Sequence, residues 1–197
     1  MLDLTRILSN FDPSNGSVAG LQSGSIRRLA DLRGSFADEK AYERQLAQSN
    51  PVLYEVTAVP FADTEGALHY AAGCLYPGKI GDEYYLTKGH FHAWRAASEI
   101  YIGLQGEGVM LLEGEDPADN MIVPMRPNSV IYVPGYVAHR TMNTGSTPLT
   151  YLGIYPFNAG HDYGTIATNN MRNVVVERDG RPVMMERQSY LKYLLSK

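Results

Sequence analysis

Gly89-His90-Phe91-His92-Ala93-Trp94-Arg95-Ala96-Ala97-Ser98-Glu99-Ile100-Tyr101 holds the strongest signal in this chain. On a strand, residues two apart project from the same face, so His90 and His92 present two imidazoles to one point. Glu99 follows after a gap long enough for a turn and opens the next strand-like run, which lets its carboxylate return to that point. A second segment, Val133-Pro134-Gly135-Tyr136-Val137-Ala138-His139-Arg140-Thr141-Met142-Asn143, places His139 just after a Pro-Gly turn between two expected strands. Three nitrogens and one oxygen can then surround one ion, a set that suits a divalent transition metal. A His-x-His pair alone is more often incidental; the weight comes from three of the chain's five histidines falling, with a glutamate, into two short segments.

Outward from these segments, the sequence between Pro51 and Glu186 reads as short apolar or alternating runs rich in Tyr, Val and Ile, separated by Gly, Pro, Asn and Asp. Strands are expected over Leu53–Val59, Leu68–Tyr76, Tyr84–Thr87, Glu99–Leu104, Val109–Leu112, Ser129–Val133, Leu149–Tyr155 and Val174–Arg178. No segment between them is long and periodic enough for a crossover helix, which disfavours a parallel sheet and favours an antiparallel barrel or sandwich. Two helices are expected outside this region, one capped by Asp38 and running through Ala47, the other from Ser189 through Leu195. Ser14–Ser25, rich in Gly and Ser, reads as an exposed turn or arm. The expected organisation is an N-terminal arm with a short helix over 1–50, a barrel over 51–186 and a C-terminal helix over 187–197.

The 197 residues, 44% of them apolar, provide for one domain with a sizeable core. Seventeen basic and 21 acidic residues, spread without long runs, give a net charge of −4 and no electrostatic footprint for nucleic acid or an anionic membrane. A small ligand is the expected partner. Cys74 is the single cysteine, which excludes an internal disulfide. Met1–Phe11 lacks the basic start and apolar stretch of a signal peptide, so a cytoplasmic location is expected. No apolar run reaches the ~20 residues needed to cross a bilayer.

His90, His92, Glu99 and Gly106, then Pro134, Gly135, His139 and Asn143, follow the order of the two motifs of the cupin superfamily. The gap of six residues between His92 and Glu99 is longer than in most cupins. It is similar to that of the cupin-type glucose-6-phosphate isomerases. The chain resembles that family also in Thr87-Lys88-Gly89-His90-Phe91-His92, in Glu99-Ile100-Tyr101, in Ala138-His139-Arg140-Thr141, in Tyr76-Pro77-Gly78-Lys79 and in the tail from Ile154 to Gly164. Arg27-Arg28-Leu29 extends the resemblance toward the N-terminus.

The resemblance implies an all-β fold, a cupin of jelly-roll type with an N-terminal arm and short peripheral helices. It implies a metal-dependent aldose–ketose isomerase that interconverts glucose 6-phosphate and fructose 6-phosphate, working as a homodimer. One divalent ion per chain is expected at His90, His92, Glu99 and His139, with Fe2+ the expected metal and Ni2+, Mn2+, Co2+ or Zn2+ also compatible with these ligands. The resemblance further implies that Thr87, Gly89 and Tyr155 hold the phosphate. Strand alternation alone would set Thr87 and Gly89 on the face opposite the histidines, so a bend at Gly89 is required. Glu99 is the expected proton carrier, and Tyr101 shares its strand parity. His161, in the Gly-His-Asp-Tyr-Gly loop, completes the expected catalytic set by contact with sugar or phosphate. His69 is expected to be structural, and Lys88 and Arg140 to be surface charges. The stripe of Tyr190, Leu191, Leu194 and Leu195 is expected to pack on the barrel or a second subunit. Two rival functions are a cupin dioxygenase and a non-catalytic sugar-binding cupin.

Overall fold

The alternation of buried and exposed residues that marks a half-buried strand is plain at Glu99–Gln105, where Glu99, Tyr101 and Gly103 face inward and Ile100 faces out. A computed structural model describes residues 8–21, 24–59, 61 and 63–196; the first seven residues of the expected arm, and residues 22 and 23 of the turn expected over Ser14–Ser25, lie outside the described residues. In chain order the strands are β1 (Ser25–Arg28), β2 (Val52–Val59), β3 (Leu68–Leu75), β4 (Lys79–Ile80), β5 (Glu83–Tyr84), β6 (Glu99–Gln105), β7 (Gly108–Glu113), β8 (Met121–Met125), β9 (Val130–Val133), β10 (Ala138–Asn143), β11 (Leu149–Pro156), β12 (Asn173–Arg178) and β13 (Arg181–Glu186). The α-helices are α1 (Glu39–Gln48), α2 (Gly164–Asn169) and α3 (Arg187–Leu195).

The fold is the antiparallel, mostly β cupin type that the sequence predicts. Its described strands form separate sheets rather than one closed barrel. A six-stranded sheet runs β1-β2-β3-β11-β6-β9, a three-stranded sheet β10-β7-β8 and a four-stranded sheet β13-β12-β5-β4. The shared core draws Tyr101, Leu149 and Tyr151 from the first, Met110, Leu111, Met125 and Met142 from the second and Val175 from the third. The N-terminal arm is tied down at two places. β1 pairs with β2 at the rim of the large sheet, and Phe11 and Val18, bridged to each other, pack with Val59 and Ala72.

Helix α1 forms where expected because Glu39 to Gln48 consists mostly of good helix formers and Asp38 Oδ1 accepts from Ala41 N at 2.9 Å. Several elements depart from the expected pattern. β8 and β13 contain Pro124 and Pro182, which lack the N–H a central strand needs; both strands lie at sheet edges. β10 reads Ala-His-Arg-Thr-Met-Asn, too polar to select by apolar pattern, yet every residue of it is buried. The strand expected over Tyr84–Thr87 stops at Tyr84, beyond which Leu86 makes a single bridge to Met142. Helix α3 starts two residues before Ser189. Its expected apolar stripe is divided: Tyr190 is fully buried against Val174 and Val176, Leu194 packs partly beside them, and Leu195 is 84% exposed.

Candidate metal centre and cavity

Four side chains converge from three places in the chain. His90 and His92 follow a left-handed bend at Gly89, whose φ is +74°. His90 then makes a two-way backbone bridge to His139, N to O at 3.2 Å and O to N at 3.1 Å, which draws the His90 segment against β10. Glu99 opens β6, and the six residues before it fold into a turn in which Ala97 N donates to Trp94 O. The adjacent Pro134–Gly135 turn fits closely against that loop: a Cβ on Gly135 would lie 2.6 Å from the Ala96 carbonyl, and Tyr136 N donates to Arg95 O. One ligand atom from each of His90, His92, Glu99 and His139 lies within 4.8 Å of the others. His69, on β3, stands apart from this group with Asp63 Oδ1 3.3 Å away.

The donor chemistry suits a cation. His92 Nδ1 lies 3.0 Å from the Ala97 carbonyl, so that nitrogen carries the proton and Nε2 presents a lone pair 3.1 Å from Glu99 Oε2. Two electron-rich atoms facing each other repel unless a cation or a proton lies between them. Accordingly, burial lowers the His92 pKa but Glu99 and the Ala97 carbonyl more than reverse this, leaving it raised. His139 Nε2 approaches the same oxygen at 3.2 Å, an electrostatic contact rather than an aligned hydrogen bond, and its Nδ1 is buried with no hydrogen-bond partner. Nε2 of His90 is likewise buried and unpartnered. Burial, reinforced by the surrounding imidazoles, pushes His90 well below the usual histidine range, so it is neutral and free to ligate. Burial would raise the Glu99 carboxyl, but His139 and His92 overcome it and hold it at about 2. This His/Glu group can hold one metal ion.

Above it opens a cavity of about 400 Å³. Thr87, Gly89, Tyr101, Tyr155 and His161 all line it with three of the four candidate ligands, His90, Glu99 and His139. Thr87 is fixed to β10 in two directions, its N–H donating to Thr141 O and its hydroxyl accepting from Thr141 N. Tyr101 is buried with its ring 5.8 Å from that of His139, and burial followed by the Glu99 charge pushes its hydroxyl far above the ordinary range. The His161 ring lies 4.4 Å from His90 and stacks on Tyr163. Their loop is clamped by Arg95, which donates to Asp162 Oδ2 at 2.5 Å and to Thr165 Oγ1 at 3.2 Å while covering the Phe91 ring. Asp162 orders the turn, accepting from Thr165 N and Thr165 Oγ1, while its neighbours His161 and Tyr163 line the cavity.

Other lining residues escape sequence reasoning. Lys88 is not a free surface charge: it is half-buried, lines the cavity and places Nζ 5.0 Å from the centre of the Tyr163 ring. Arg27 also lines it, as do Tyr54, Tyr151 and Tyr163. Arg140, expected at the surface, is only 2% exposed, because β10 is covered on both faces. Gly73 and Gly153 make room at the wall: a Cβ on Gly73 would lie 2.5 Å from the Tyr151 ring, and one on Gly153 2.7 Å from Glu99 Oε1. Glycine in the interior of two expected strands was the available signal, since it marks close approach.

Antiparallel sheets enclosing three imidazoles and a carboxylate at the base of a cavity define a cupin with a site for a single metal ion. The chain belongs to the glucose-6-phosphate isomerase family: it matches the family model described as Glucose-6-phosphate isomerase (GPI) over residues 26–192. Relatives named glucose-6-phosphate isomerase include that of Thermococcus gammatolerans, 48% identical over 86% of this chain and 88% of the relative. That of Pyrococcus horikoshii is 46% identical over 86% and 88%, and that of Pyrococcus furiosus 43% identical over 92% and 95%. A solved structure of oxalate oxidase overlaps with a TM-score of 0.48 at 19% identity, over 60% of this chain and 58% of the other. Among the described residues no helix is long and apolar enough to cross a membrane.

Proposed function

We propose that this chain is a metal-dependent aldose–ketose isomerase that interconverts glucose 6-phosphate and fructose 6-phosphate. The observation that carries the reading is the convergence of His90, His92, Glu99 and His139 at the base of a cavity whose wall holds Thr87, Gly89 and Tyr155. Membership of the isomerase family supports it, and removes the support for a dioxygenase or a non-catalytic sugar-binding cupin. Fe2+ is the proposed ion, held by the four converging side chains. The enzyme is proposed to act in the cytoplasm as a homodimer, for which Ile100, Val130 and Tyr132, exposed on the paired strands β6 and β9, offer an apolar face.

An ion at this site would supply Lewis acidity to the sugar oxygens on C1 and C2. The chain's own groups then divide the remaining work. Oε2 of Glu99 faces the imidazoles, while Oε1 faces Gly153, where the missing side chain leaves room. One carboxylate thus has one oxygen for the ion and another to take the C2 proton and return it at C1. Tyr101 and Tyr155 keep their hydroxyl protons at neutral pH, because burial raises both, which leaves Tyr101 to donate to the sugar and Tyr155 to the phosphate. His161, lowered by burial, is neutral and serves as a hydrogen-bond partner above His90. The Thr87 hydroxyl and the bend at Gly89 hold the phosphate with Tyr155, and Arg27 and Lys88 add positive charge to the wall.

The test is fructose 6-phosphate conversion before chelation, after it and after return of the metal. Activity should vanish and recover, His90→Ala and His139→Ala should lose bound metal, and His69→Ala should keep it. Full activity in a verified metal-free sample would sink the metal role.

A further inference from the structure

Arg140 is among the largest side chains that are fully buried in this protein. Its Nε and Nη2 both donate to a single acceptor, the carbonyl of Lys88, at 3.2 and 2.5 Å. That carbonyl is the link between Thr87 and Gly89. The Gly89 backbone lies directly on the guanidinium stem: a Cβ there would come 3.0 Å from Arg140 Nε and 3.2 Å from Arg140 Cβ. Gly89 also holds its left-handed φ of +74° at this point. A flexible bend would relax; this one is gripped from beneath.

The grip is anchored in the interior. Burial lowers the Arg140 pKa to about 10, with Arg187 adding to the effect, while the charges of Glu83 and Glu113 oppose it, so the guanidinium stays charged at neutral pH. Both acids are themselves buried and held. Glu83 Oε1 accepts from Ala37 N and Asp38 N, and Glu113 accepts from Arg172 N, Asn173 N and Asn173 Nδ2. Arg187 donates to Ser35 O and Met171 O. Arg140 therefore has two separable properties: a charge, balanced by Glu83 and Glu113, and a planar fork, aimed at Lys88 O.

We propose that Arg140 is the positioning residue of the phosphate-binding bend, its fork setting the Thr87–Lys88–Gly89 backbone at the height at which Thr87 and Gly89 meet the phosphate. This rests on the reading that those residues bind phosphate. Arg140 does not touch the substrate; it acts through the Lys88 carbonyl.

Arg140→Lys separates the two properties, since it keeps the charge among the acids and loses the fork. The variant should fold with near-native thermal stability and full metal. Its KM for fructose 6-phosphate and the inhibition constant of inorganic phosphate should both rise by about tenfold, the scale of one lost hydrogen bond to a charged group, and kcat should fall less than KM rises. Thr87→Val is run in parallel. If Thr87→Val raises both constants and Arg140→Lys raises neither, the positioning role is overturned and the phosphate reading stands. If Thr87→Val leaves both constants unchanged, the phosphate reading itself fails. Loss of metal from Arg140→Lys would show that the arginine acts on neighbouring His139 instead, and failure to fold would show that the fork serves the core; either result overturns the proposal.

Discussion

Gly153 offers the sharpest perturbation of the site, because it meets Glu99 without belonging to the ligand group. It sits in β11 opposite Tyr101 of β6, and a Cβ built on it falls 2.7 Å from Glu99 Oε1, where ordinary contact begins at 3.4 Å. Gly153→Ala must therefore displace the carboxylate by the difference, 0.7 Å. The backbone itself needs no strain, since Gly153 is not among the residues with positive φ. The displaced acid cannot retreat far, being 5% exposed and hemmed in by His92 and His139. A misplacement of this order at a reacting group costs up to about a hundredfold in rate, and a disturbed ligand about 10- to 100-fold in metal affinity. The assay is kcat with fructose 6-phosphate at saturating metal, beside metal titration and thermal unfolding of the same preparation. Native kcat and native metal affinity in a folded Gly153→Ala would refute the placement of Glu99 in the reaction.

Tyr155→Phe should raise KM for the phosphorylated sugar by about ten- to a hundredfold, the range for a lost hydrogen bond to a charged group; unchanged discrimination against free fructose would move the phosphate elsewhere. Glu99→Gln should keep part of its metal and lose about 10² to 10⁴ in kcat, while the unmodified enzyme turning over in heavy water incorporates deuterium. Near-normal kcat in that variant with no deuterium uptake by the parent would leave Glu99 as a ligand alone. In metal-free protein, Glu99 is depressed to about 2 from an unfolded value of about 4.3. Its ionised form stabilises the fold above about pH 4.3, and that contribution is lost as pH falls toward 2, so urea midpoints should decline across that window. The decline should be shallower in Glu99→Gln.

The metal group was legible because its signal lies in residue type and short spacing: His90, His92 and Glu99 share one bend and one strand start. The bend at Gly89 followed from strand parity together with the family resemblance, which sets Thr87 and Gly89 in the same pocket as His90 and His92. Arg140 was misread because charge normally means exposure, and nothing local shows that β10 is covered on both faces with Glu83 and Glu113 near enough to balance it. Lys88 was misplaced, and Arg27 was given no place at the cavity, for a related reason: which wall a side chain faces depends on strands far away in sequence. β8 and β13 escaped notice because proline is read as a strand breaker, a rule that lapses at an edge.

The contact between His92 Nδ1 and the Ala97 carbonyl bears on how the protein acquires its ion. It spans five residues of one loop, and His90 lies two residues away, so much of this half of the site is local sequence. An unfolded chain keeps the two imidazoles close together and retains some affinity for a divalent cation, whereas His139 and the closed pocket exist only after folding. Ligand that binds the unfolded state subtracts from its stabilisation of the native one. Thermal stability should consequently rise with metal concentration less steeply than the native dissociation constant alone would dictate, and nascent chains can recruit the ion before the sheets assemble around it.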